Sequence, residues 1–99
     1  MAEILIEDAG NGRFRVSGHL SFATVGKALV TGQELFAHHK HIELDLHGVE
    51  GTDSAGLALL VEWAGWAHRE HREILFRHLP AQAHALARIS EVDKLLPSS

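Results

Sequence analysis

The 99-residue chain has no cysteine. That excludes a disulfide framework and thiolate chemistry, and it suits a reducing compartment. It has no surplus of positive charge either: nine Lys and Arg stand against thirteen Asp and Glu, a formal net charge of −4. Such a balance argues against nucleic acid or an anionic lipid surface as a direct partner. Nine histidines temper this, because below about pH 6.5 their protonation would cancel or reverse the charge. Long apolar runs are missing as well. The longest, Ala55 to Val61 with a glycine inside it, falls far short of the roughly 20 residues that cross a bilayer. The opening Met-Ala-Glu-Ile-Leu-Ile-Glu-Asp lacks the basic start and apolar stretch of a secretion signal, so a cytosolic, soluble protein is expected. Repeats, low-complexity tracts and linkers are also absent.

What remains is ordinary globular material, 45% hydrophobic and 22% charged, sized for one domain over residues 1–99 with one core. Glu3–Glu7 reads as a short strand, followed by Asp8-Ala9-Gly10-Asn11-Gly12, a tight turn by composition. Arg13–Ser17 alternates as a hairpin partner should. Gly18–Phe22 reads as a link. Ser21 can cap a helix from about Ala23 to His39 with Val25, Leu29, Leu35 and Phe36 as its apolar members, weakened in the middle by Thr31 and Gly32. His41–Leu46 is a strand with Ile42, Leu44 and Leu46 on one face. Ser54 to about Arg69 is the strongest helix, Glu73–His78 another strand, and Pro80 at a first helical position opens a helix from about Ala81 to Ser90. Pro97 closes the fold. The order ββαβαβα predicts an α/β fold: a small mixed sheet of about four strands with helices packed on it.

The segment 42–61 carries the most information. Its alternating run stops at Leu46, a polar loop follows, and a helical pattern begins at Leu57, so Ser54 sits where a strand hands over to a helix. Unpaired N–H groups and the positive end of the helix dipole favour a negative group there, whether a phosphate on Ser54 or a partner's carboxylate. Two enzyme motifs are approached and missed. Gly51-Thr52-Asp53-Ser54-Ala55-Gly56 has the glycines of a phosphate-binding loop, but Leu57-Ala58 replace the required Lys and Ser/Thr. The same stretch resembles the strand–Ser–helix elbow of hydrolases, with Thr52 obstructing the first glycine position. A chain this short also lacks the later strands that carry the acid and base. No catalytic residue is therefore assigned. Two readings of the segment stay open: Asp53 merely caps the helix while Ser54 fills its first turn, or Ser54 is functional, as residues in loops at strand ends often are.

The stretch Ile42–Leu60, with Asp45-Leu46 and Thr52-Asp53-Ser54-Ala55-Gly56-Leu57, resembles the signature of STAS domains, shared by anti-sigma-factor antagonists and sulfate transporter tails. Gly18-His19-Leu20-Ser21-Phe22-Ala23-Thr24-Val25 is similar to the first-helix entry of MlaB-type members, and Pro80 with Leu86-Ala87-Arg88-Ile89 to the last helix. The resemblance implies that Ser54 aligns with the family's phosphorylatable hydroxyl, with Ala55 in place of the usual second serine.

At about 100° per residue, Leu57, Leu60, Val61 and Ala64 cluster on one face of the long helix with Ala67 on its flank, while Leu59, Trp63 and Trp66 fall at roughly 180–240° from Leu57. A small sheet covers one helix face, and tryptophan is enriched in binding hot spots. Either neighbouring helices wrap over the second stripe, or it is a partner surface. The expectation is the partner surface, starting at Thr52, Asp53 and Ser54 and running through Leu59, Trp63 and Trp66, exposed or covered by a homodimer contact. His38, His39 and His41 sit at a helix-to-strand junction. His68 and His71, three residues apart, could share a metal, but no further ligand completes a set. They read as surface histidines, and no metal or cofactor is assigned.

The resemblance implies a non-catalytic cytoplasmic module like the STAS subunit of phospholipid-transporting ABC systems. Its partner would be the nucleotide-binding ATPase subunit, and that partner would hold the module at the inner face of the plasma membrane without membrane insertion. The alternative is an anti-sigma-factor antagonist whose partner, a kinase-type anti-sigma factor, phosphorylates Ser54 and is repelled by the added charge.

Overall fold

A computed structural model describes residues 3–98. Strands β1 (Ile4–Gly10) and β2 (Arg13–Leu20) form the leading hairpin, followed by α1 (Phe22–Phe36), β3 (His41–Thr52), α2 (Ser54–Arg69), β4 (Glu73–Arg77) and α3 (Ala81–Ile89), with a short 3-10 turn at Asp93–Leu95. The four strands make one mixed sheet in the order β1-β2-β3-β4. The β1–β2 pair is antiparallel, and β2–β3 and β3–β4 are parallel. Parallel neighbours need crossovers of a dozen residues or more, which α1 and α2 supply.

Alternation decides the faces. Phe14, Val16, Leu20, Ile42, Leu44, Leu46, Ile74 and Phe76 are buried against the helices. The opposite face also carries Leu5, Ser17 and Leu75, but its middle is charged, and the register sets those side chains in a row across the sheet: Glu7 beside Arg15, Arg15 beside Asp45, Asp45 beside Arg77. Glu43 pairs with Arg13 at 3.4 Å and Arg77 at 3.3 Å. Opposite charges on adjacent strands stabilise pairing modestly and keep an uncovered face wet. Pro97 does close the fold: its carbonyl accepts the Phe76 N–H at 2.8 Å, and Ser98 bridges to Phe76 along the outer edge of β4.

Several boundaries differ from expectation, the first strand among them, which runs on to Gly10 and into the supposed turn. The second strand runs on to Leu20, and the third continues through the supposed loop to Thr52, paired to β2 across two register shifts. The first helix stops at Phe36 but runs unbroken through Thr31 and Gly32. Pro80 is the N-cap of α3 rather than its first helical residue.

The two-stripe reading of α2 is corrected. Leu57 and Leu60 are buried, with Val61 and Ala64 packed at the edge of the core, as expected. However, Leu59 is 4% exposed and Trp63 0%. On a helical wheel Leu59, Trp63, Gly56, Ala67, Leu60 and Leu57 span about 160° in one continuous arc. The supposed opposed stripes are the two edges of this arc. The sheet takes one side of it and α1 takes the other. Trp63 stacks edge-on against Phe36, ring centroids 5.3 Å apart, and its indole N–H donates to the Leu29 carbonyl at 3.5 Å. Trp66 is half-buried, beside Phe36 and beneath the Arg72 guanidinium, which lies 5.6 Å from the ring centroid.

Candidate functional site: the paired helix starts

Two helices begin side by side at one end of the sheet. Ser21 caps α1 and Asp53 caps α2, and one carboxylate serves both. Asp53 Oδ1 accepts the Gly56 N–H at 3.0 Å, while Oδ2 accepts the Phe22 N–H, the first of α1, at 3.3 Å. The Asp53 N–H in turn donates to the Leu20 carbonyl at 3.1 Å. The Gly56 amide first, then those of Phe22 and Ala55, hold the Asp53 carboxyl below the usual carboxylate range, since hydrogen bonds to the charged form favour it.

This close approach requires glycine at 56. A Cβ there would collide with Thr52 Oγ1 and the Leu20 carbonyl oxygen, and would lie 2.7 Å from Leu20 Cβ. At the entry to α1, the Thr24 hydroxyl accepts the Ser21 N–H at 3.1 Å and donates to the His19 carbonyl at 2.8 Å, a local capping arrangement.

Thr52 is half-buried, and Asp53 and Ser54 are exposed. The three are consecutive and form the junction between β3 and α2. Ser54 is the first residue of α2, and among the described residues its hydroxyl has no hydrogen-bonding partner. No residue with Asp or Glu chemistry occupies the first turn of α1 or α2, so both helix starts retain their positive ends apart from the shared Asp53. A shallow groove of about 330 Å³, lined by His19, Ser21, Glu50, Gly51 and Gln82 among others, adjoins the turn.

Leu59 and Trp63 do not belong to this site: they are core. Trp66 lies twelve residues along α2, about 18 Å from Ser54 by the helical rise, at the other end of the domain. His68 and His71 are exposed, and among the described residues no group of three or more His, Asp or Glu could hold a metal ion. The ring of His39 packs edge-on against Phe14, and His41 meets Glu73 at 3.4 Å.

Two residues at the site were missed. Phe22 is 85% exposed. The buried row of α1 (Thr24, Ala28, Gly32, Phe36) places Phe22 about 100° from its middle, a signal available in the sequence. Gln82 accepts the Thr52 N–H through Oε1 at 3.1 Å. Because β4 ends opposite Asp45, the last residues of β3 have no strand on that side, and a side chain from α3 takes the place of a backbone partner. Nothing local in the sequence marks that role.

A family model described as "Mlab, STAS domain" matches residues 6–97. A comparison with curated proteins returns no match. Among solved structures, the chain is similar to the anti-sigma factor antagonist SpoIIAA in its unphosphorylated form, with a TM-score of 0.71 and 10% identity over 97% of this chain and 87% of that one. It is also similar to an anti-sigma factor antagonist from Mycobacterium paratuberculosis, with a TM-score of 0.71 and 20% identity over 96% and 82%. The phosphorylated form of the Bacillus cell fate determinant SpoIIAA gives 0.68 and 10% over 97% and 90%. At these identities the structural likenesses show the fold. Among the described residues no helix is long and apolar enough to cross a membrane.

Proposed function

Since the chain belongs to the MlaB-type STAS family, we propose that it is a non-catalytic interaction subunit that docks on the nucleotide-binding ATPase of a phospholipid-transporting ABC system and biases that ATPase's assembly or active arrangement. The observation that carries the transporter branch is the family match over residues 6–97. The tryptophan stripe no longer contributes, since Trp63 is core. The docking end is the Thr52–Asp53–Ser54 turn, where exposed polar groups sit on a rigid base of two helix starts held by one carboxylate. ATP belongs to the partner: Leu57-Ala58 stand where a phosphate-binding loop needs Lys and Ser/Thr. The single-domain organisation over 1–99 and a cytoplasmic location at the membrane's inner face through the partner are parts of the same proposal.

The test is a binding titration of the purified chain against the candidate ATPase subunit, with ATP turnover followed in parallel. The expected result is a complex whose ATPase rate differs from that of the subunit alone, and no hydrolysis of ATP or simple esters by this chain by itself. Absence of a complex overturns the transporter reading. Turnover by the chain alone that is lost in Ser54→Ala overturns the non-catalytic one.

A second reading has a specific observation behind it. The Ser54 hydroxyl is exposed at a helix start, where a phosphate would be stabilised, and the solved structures it resembles are anti-sigma factor antagonists. Incubation with a kinase-type anti-sigma factor and ATP separates the two: phosphate incorporated at Ser54, with loss of the complex, would favour this branch.

A further inference from the structure

Phe22 is a phenyl ring left 85% exposed at the first position of α1. Burying such a ring is among the larger contributions a single side chain makes to association, yet nothing in its own domain covers it. Phe22 follows Ser21, the cap of α1, and its backbone N–H donates to Asp53 Oδ2, the cap of α2, so the ring is anchored where the two helix starts meet. Gly26, one turn along α1, carries no side chain to shield it and faces open space. Val30, a further turn along α1, is 56% exposed and continues the same apolar line at i, i+4, i+8.

The charges around this ring have one sign. The two segments meeting there, His19–Phe22 and Glu50–Ser54, carry Glu50 and Asp53 and no Lys or Arg. The nearest lysine in sequence, Lys27, lines a different groove, between α1 and the edge strand β1.

We infer that Phe22 is the anchor of the docking surface, which runs from the Ser54 turn across the outer face of α1 rather than down α2, and that its occupant is a protein partner offering an apolar socket with a basic rim. This deepens the docking reading given above and rests on it. The socket would take the ring, and the basic rim would meet Asp53 and Glu50, which adds an electrostatic contribution sensitive to salt.

The experiment is a binding titration of the wild-type chain, Phe22→Ala, Phe22→Gln and Ser54→Asp against the purified candidate ATPase subunit, at about 50 and 300 mM NaCl, with a thermal melt of each variant. Both Phe22 variants should melt within a few degrees of wild type, because the position is exposed. Each should bind about thirtyfold or more weakly, as expected of a hot spot. Wild-type affinity should fall several-fold at the higher salt. Phe22 variants that bind within about twofold of wild type, while Ser54→Asp weakens binding, would overturn the Phe22 anchor and leave the docking turn standing. If Ser54→Asp binds equally well too, the docking turn fails with it. Affinity that does not change with salt would overturn the basic rim, and a wild-type chain that does not bind would overturn the anchor together with the transporter reading.

Discussion

The indole of Trp63 fills the space that a side chain at position 32 would occupy: a Cβ on Gly32 would lie 2.6 Å from Trp63 Cζ2 and 2.8 Å from Nε1. Gly32→Ala therefore gains helix preference worth about 1 kcal/mol and loses roughly 1–3 kcal/mol to overpacking, since a wholly buried ring cannot swing aside. The expected outcome is a small net loss, seen as a melting temperature lowered by a few degrees. Trp63→Ala should cost about 3–5 kcal/mol, and Trp63→Glu should unfold the chain. Urea titration of all three checks the order, and a stabilised Gly32→Ala would show that α1 and α2 are not in this contact.

Gly56→Ala should be the more damaging glycine change. Two of the atoms its Cβ would meet are the Leu20 carbonyl oxygen and Leu20 Cβ, parts of a strand end that cannot yield as a side-chain tip can. Loss of several degrees in the thermal melt, with weakened partner binding, is expected. A variant that melts like wild type would mean the junction relaxes at little cost.

Acid should act through Asp53. Its carboxyl titrates below the ordinary value because of the Gly56 amide and then the Phe22 amide. A group depressed on folding adds stability above its unfolded value, near pH 4, and loses that contribution as pH falls through its folded value. The melting-temperature gap between wild type and Asp53→Ala should therefore be widest near pH 7 and close towards pH 3. A gap that stays constant across that range would show that the charge is not what the two caps require.

Ser54→Asp should fold normally. A carboxylate in the first turn of α2 is favoured by about 0.3–1 kcal/mol, offset in part by the neighbouring Asp53, so the melt should move by no more than a few degrees. Circular dichroism and the melt read this directly. Outright unfolding would mean that the first turn of α2 does not tolerate a second negative charge.

The sequence made the order of elements and the position of Ser54 legible, because alternation in His41–Leu46 and the helical period after Ser54 are both strong local signals. It hid the length of β3. Residues His47 to Thr52, with two glycines and no alternation, are strand only because Ser17–Leu20 lie beside them. It also hid the fate of Leu59 and Trp63. A wheel gives angles, not neighbours, and the small residues Ala28 and Gly32 that let α1 approach do not advertise themselves as a docking floor for an indole. At the site, Asp53 was visible as a cap of α2, but its bond to the Phe22 amide joins positions 31 residues apart and has no local trace.

The length of β3 has a kinetic consequence. Its parallel register with β2 starts with Arg13 beside Glu43, about thirty residues apart, and the Ser54 turn is fastened to the far end of that pairing through the Leu20 carbonyl. Contacts this distant in sequence close slowly, after the intervening helix has formed. The turn is thus expected to form late in folding, and a nascent chain would be unable to present the proposed docking end until the crossover has shut.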